Sequence, residues 1–212
     1  DETIEQTDGQ TIKFTSVVIG DETLSRASGS TSIDVISMRT ELDDKFTVFD
    51  LKKDTRSWGE FSKKSEVFFY AHYPRLPESV AGNETRVLEG GTNDYLFGKA
   101  KAVAGQQQVC LQFKRVMAPL IVEVLDGDGR SYQGDIEVSA LIKNKGIQNL
   151  KDGSIVILDE KKYTSFNRFD NDGKQALNLL PQRIEKGTPF QVRLSNGVTY
   201  TATVGEAVQL NS

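Results

Sequence analysis

Three observations predict an all-β fold. Apolar and polar residues alternate in short runs, as where Val109, Leu111 and Phe113 interleave with Cys110, Gln112 and Lys114. That period of two belongs to half-buried strands. Glycine, proline, asparagine and aspartate separate the runs, and Ser195-Asn196-Gly197 stands between two of them as a hairpin turn would. No segment carries the apolar stripe of a three-turn amphipathic helix.

The stretch from Val109 to Val124, VCLQFKRVMAPLIVEV, is the expected centre of the fold. Lys114, Arg115 and Pro119 fall between its two apolar halves, which predicts two strands or one strand broken at a corner. Before it lie runs at Thr11 to Ile19, Thr31 to Met38, Lys45 to Leu51, Glu66 to Tyr73 and Asn93 to Val103. In EVFFYAHY (Glu66 to Tyr73) both faces are bulky, as in a central strand. A polar loop is expected from Pro77 to Gly91. After the spine come Ile136 to Ile142, Ser154 to Leu158, Tyr163 to Phe169, Ala176 to Leu180, and the hairpin of Pro189 to Leu194 with Val198 to Val204.

A chain of 212 residues has room for two domains. The turn cluster LDGDGRSYQ after Val124 is the expected boundary, giving 1–125 and 126–212. Charge is nearly balanced, 26 basic against 30 acidic residues, with no basic stripe of the kind nucleic acid requires. The single cysteine, Cys110, excludes an intrachain disulfide and reads as a buried thiol. No apolar run approaches the ~20 residues that span a bilayer. The opening DETIEQTDGQ is no signal peptide and resembles the solvated tether behind a processed, exported N-terminus.

Chemistry-bearing constellations are sparse. His72 is the only histidine, with no metal-ligand cluster or nucleophile motif beside it, so neither catalysis nor a cofactor is expected. Asp126/Asp128 and Asp170/Asp172 begin as calcium loops begin but lack the remaining ligands, and ordinary β-turns explain them. Asn83-Glu-Thr85 is formally a glycosylation acceptor. Trp58, in RSWGEF, reads as core packing or a domain-edge plug. Gly20 to Ser30, GDETLSRASGS, is small, polar and carries one basic residue, Arg26, before Ala27. Such a segment invites proteolysis.

Several segments in order carry a resemblance to a known family. They are Leu24-Ser-Arg26-Ala27, FFYAHYP (Phe68 to Pro74), DYLFGKA (Asp94 to Ala100), the spine, and LLPQRIEKGTPFQVRL (Leu179 to Leu194) before a Gly-Val-Thr-Tyr hairpin. Together they resemble the fimbrillins, type V pilus subunits of Gram-negative anaerobes. The resemblance implies two transthyretin-like β-sandwich domains with Greek-key connections. It also implies an exported lipoprotein precursor, anchored through an N-terminal lipid, and assembly with other pilin subunits into cell-surface fimbriae that support adhesion. A trypsin-like protease would cut Arg26-Ala27 in the 20–30 loop, the first strand (11–19) would leave, and a strand from another subunit would fill the groove.

Physical chemistry makes that scheme workable. An added strand is held by main-chain bonds and by alternate side chains set into pockets, here Ile12, Phe14 and Val18. Full burial of each stabilises by about 1.5–3 kcal/mol. Val198, Tyr200, Ala202 and Val204, followed by Val208 and Leu210, are the candidate donor residues. The rival expectation is a non-polymerising surface lipoprotein module that binds a glycan or a host or bacterial surface protein, with Trp58, Tyr73 and Tyr95 as its aromatic candidates.

Overall fold

The structure, a computed structural model, describes residues 9–20, 33–61, 63–91, 93–166 and 174–212. Within them the regular secondary structure is almost entirely strand, as the alternation predicts. The first elements are β1 (Thr11–Val18), β2 (Val35–Thr40), β3 (Thr47–Asp50), the two-residue β4 (Arg56–Ser57), and a single 3-10 turn, Trp58–Phe61. Next come β5 (Glu66–Tyr73), β6 (Thr85–Glu89), β7 (Leu96–Val103), β8 (Gln108–Arg115) and β9 (Ala118–Glu123). The remainder comprises β10 (Ile136–Lys143), β11 (Lys145–Asn149), β12 (Ile155–Ile157), β13 (Lys161–Phe166), β14 (Lys174–Leu179), β15 (Gln182–Ile184), β16 (Pro189–Leu194), β17 (Thr199–Thr203) and β18 (Val208–Leu210).

The first seven-stranded sheet runs β3-β2-β5-β7-β8-β1-β4. Strict alternation on β8 drives Val109, Leu111 and Phe113 into the interior, where they meet Val67, Phe69 and Ala71 of β5 and Ile36 and Met38 of β2. The sheet curls, because Phe14 on β1 stands edge-on to Phe49 of β3, near the opposite end of the strand order, with ring centroids 5.3 Å apart. Gly98 of β7 faces Phe113 across the ladder, and a Cβ at Gly98 would lie 2.8 Å from that ring. A side chain there would displace the core phenylalanine.

A second layer, ordered β12-β11-β6, covers part of the outer face of this sheet. Leu88, Phe97, Val116, Met117 and Leu180 are buried together beneath it. The later strands form β13-β10-β16-β17, faced by the pairs β14-β9 and β15-β18 around Ala140, Ile142, Leu177, Leu179, Ile184 and Leu210. Strand pairing therefore crosses the boundary expected at residue 125 both ways. β9 pairs with β14, and β11 returns to pair with β6.

Several expectations need correction. The segment read as a polar loop contains β6, and β11 was not anticipated. The inward residues of β11 include Gly146 and Gln148, while Ile147 points out, inverting the usual pattern. β2 starts at Val35, and from Ile36 to Thr40 it is buried on both faces, so Ser37 and Arg39 are interior. Pro119 lies inside β9, whose one partner among the described residues, β14, leaves a side of the strand where a missing N–H costs nothing. Cys110 is exposed, since its neighbours' inward alternation turns the thiol out.

Candidate functional site

β1 is bound along its length on one side. Six residues, Lys13 to Val18, pair in parallel with Gln108 to Phe113 of β8. The amides of Lys13 and Ile19 donate to the carbonyls of Gln107 and Phe113 at 2.9 and 2.8 Å. On the other side, among the described residues, Thr11 and Ile12 alone have strand partners, Ser57 and Arg56 of β4. Among the described residues no strand continues that ladder, so β1 is internal at its first two residues and an edge thereafter.

The side chains of β1 are anchored where the sequence places them. Ile12 and Phe14 are buried, and Val18 packs half-buried against the same core. The Phe14 ring also meets Phe69 edge-on at 4.9 Å. Trp58 closes the start of the strand: its amide donates to Gln10 at 3.0 Å and its indole Nε1 to the Gln106 carbonyl at 2.9 Å. With the ring 3 % exposed, Trp58 is a plug and offers no ligand platform. Arg26 and Ala27 lie outside the described residues.

The candidate donor residues fall on two separate strands. β17 is the outer strand of its sheet, paired with β16 from Pro189↔Thr203 to Arg193↔Thr199, and the turn is closed by Val198 N–H donating to Asn196 Oδ1 at 3.0 Å. Val198, Tyr200 and Ala202 are exposed and Val204 is half-buried. Val208 and Leu210 belong to β18, which pairs with β15; Val208 is exposed, whereas Leu210 is buried in the second core.

The polar candidates have local explanations. His72 is buried, and its Nε2–H donates to the Leu150 carbonyl at 2.8 Å. Burial, together with Arg86 and Arg39 nearby, pulls its pKa down to about 4. Asp126 accepts the amides of Asp128 and Arg130, each at 2.9 Å, and so caps its own turn. Asp170 and Asp172 lie outside the described residues, and among the described residues no three potential metal ligands come together. A feature the sequence reading missed is Arg39, buried between the rings of Phe46 and Tyr70 at 5.3 and 4.9 Å.

The fimbrillin-like family profile matches residues 36–212. A crystal structure of a candidate cell adhesion protein from Bacteroides thetaiotaomicron is 32% identical, covers 95% of this chain and 88% of its own, and superposes with a TM-score of 0.73. A second, from Bacteroides ovatus, is 18% identical with the same coverage and a TM-score of 0.67. A third, from Bacteroides uniformis, is 12% identical, covers 84% and 82%, and has a TM-score of 0.60, so these two speak for the fold alone. No curated protein matches the chain. With the profile spanning most of the sequence and a relative at this identity over nearly all of it, the chain belongs to the fimbrillin-like family.

Proposed function

We propose that this protein is a non-catalytic subunit of a cell-surface fimbria, exported as a lipoprotein precursor and assembled by protease-triggered strand exchange. The observation that carries the reading is the one-sided attachment of β1: six residues pair with β8, and two with β4. Cleavage at Arg26-Ala27 would cut the covalent link between β1 and the body. Departure of β1 then opens the β8 edge and the pockets of Ile12 and Phe14 to an incoming strand. The exposed alternation of Val198, Tyr200 and Ala202 is a candidate source of that strand in a neighbouring subunit, and the adhesion role of the relatives fits such a polymer.

Limited trypsin digestion tests this. Cleavage first after Arg26, a trimmed chain beginning at Ala27, and larger species on gel filtration are the expected results. Arg26→Ala should block both trimming and assembly. First cleavage elsewhere, or assembly unaffected by Arg26→Ala, would overturn the proposal.

A further inference from the structure

The places that β1 fills differ in size. Ile12 is fully enclosed, and the next inward residue, Phe14, is walled by the rings of Phe49 and Phe69 at 5.3 and 4.9 Å. Ser16 and Val18 then lie half-buried, the latter against the same core, while Lys13, Thr15 and Val17 face outward. Along β8 the groove therefore takes an aliphatic residue, an aromatic, a small residue and a valine at every second position. We propose that the groove selects its occupant by this order of sizes, and that residues 198–204 of a second copy of this chain meet it in one register, parallel to β8.

The two segments, IKFTSVV (12–18) and VTYTATV (198–204), agree place by place. Val198 corresponds to Ile12, Tyr200 to Phe14, Ala202 to Ser16 and Val204 to Val18, and a threonine, Thr15 or Thr201, holds the middle outward position of each. Reversed, the segment would put Ala202 under the two rings and Tyr200 in the place of Ser16, so side-chain size fixes direction as well. A shift by two residues would bring Val198 or Ala202 under the rings instead of Tyr200.

Val67, Phe69 and Ala71 share the first three places, but Tyr73 follows them and β5 is paired on both sides. β17, in contrast, is held by β16 alone among the described residues, and its Val198, Tyr200 and Ala202 side chains are exposed. The inference rests on the reading that β1 can leave its groove, but not on what cuts it loose.

Cys110 supplies the reporter for the test. It is exposed and is the ladder partner of Thr15, so the residue that replaces Thr15 lies about 4.8 Å away across the strands, within the span of a disulfide. The full chain carrying Phe14→Asp, whose buried charge expels β1, is mixed in glutathione redox buffer with peptides of residues 197–205 bearing one cysteine. Phe14→Ala replaces it if the aspartate variant does not fold, and mass spectrometry maps the cross-links. The Thr201→Cys peptide should couple to Cys110 at least about tenfold faster than Thr199→Cys or Thr203→Cys, because those are displaced by two residues along the strand. With Cys110→Ser, the Thr199→Cys peptide should couple to Gln108→Cys and not to Gln112→Cys, since Gln108 is the partner of Lys13 and Gln112 of Val17. Tyr200→Ala in the peptide should abolish the preference, and Tyr200→Phe should keep it. Equal coupling by the three peptides, preference for Gln112→Cys, or an unaffected Tyr200→Ala peptide would overturn the proposal. First trypsin cleavage away from Arg26 would remove the protease trigger and leave this selectivity standing.

Discussion

The imidazole of His72 donates from Nε2 to the carbonyl of Leu150 at 2.8 Å, tying the centre of the first sheet to the turn that follows β11. With Nε2 carrying the proton, Nδ1 is the unprotonated nitrogen, and among the described residues it has no hydrogen-bond partner in its buried site. Protonation would place a third positive charge beside those of Arg86 and Arg39.

Stability should therefore fall on mild acidification. The folded pKa of about 4 lies below the ordinary 6.5, so the unfolded chain binds more protons between these values. The His72 contribution is fully present above pH 6.5 and is lost as pH drops toward 4, on the order of 3 kcal/mol in all. Urea denaturation at pH 7.5 and pH 5 measures it. His72→Gln should flatten this part of the profile, and an equal slope in the variant would refute the assignment.

Hydrogen exchange should alternate along β1. Lys13 and Ile19 donate to β8, so the odd-numbered amides face that strand and those of Phe14, Ser16 and Val18 face the open side. Amide NMR should show Thr15 and Val17 exchanging slowly and Phe14 and Ser16 quickly. Equal protection would mean that the open side is covered.

The thiol of Cys110 should react in the native protein. Its strand neighbours Val109 and Leu111 are buried while it faces outward. Ellman's reagent at neutral pH should modify the folded chain at a rate comparable to that of the urea-unfolded chain. Strong native protection would contradict the register of β8.

Gly98→Ala should destabilise the fold by about 1–3 kcal/mol, because the added methyl overlaps the Phe113 ring. Pairing it with Phe113→Leu should recover part of the loss. A neutral Gly98→Ala would show that the ring has room to move.

The legible parts of this sequence are those where burial is one-sided. β8, β10 and the β16-β17 hairpin announce themselves because each inward position is apolar or the turn has its own chemistry. β6 and β11 stay hidden, since they build a layer whose inward groups include Arg86 and Gln148, joined by a 2.7 Å hydrogen bond, and whose outward groups are Val87 and Ile147. Period alone reads such strands backwards. The β1 residues were visible as an alternating run, but their partners were not. A parallel match to β8 and a two-residue match to β4 depend on contacts remote in sequence.

The return of β11 to β6 also dictates a timetable. During synthesis, Thr85–Glu89 emerges well before Lys145–Asn149, its antiparallel mate, so Leu88 and Phe97 must wait without their cover. A chain in that interval presents apolar surface and an unsatisfied backbone ladder, the condition under which holding factors become useful. Completion is deferred until the late hairpin arrives.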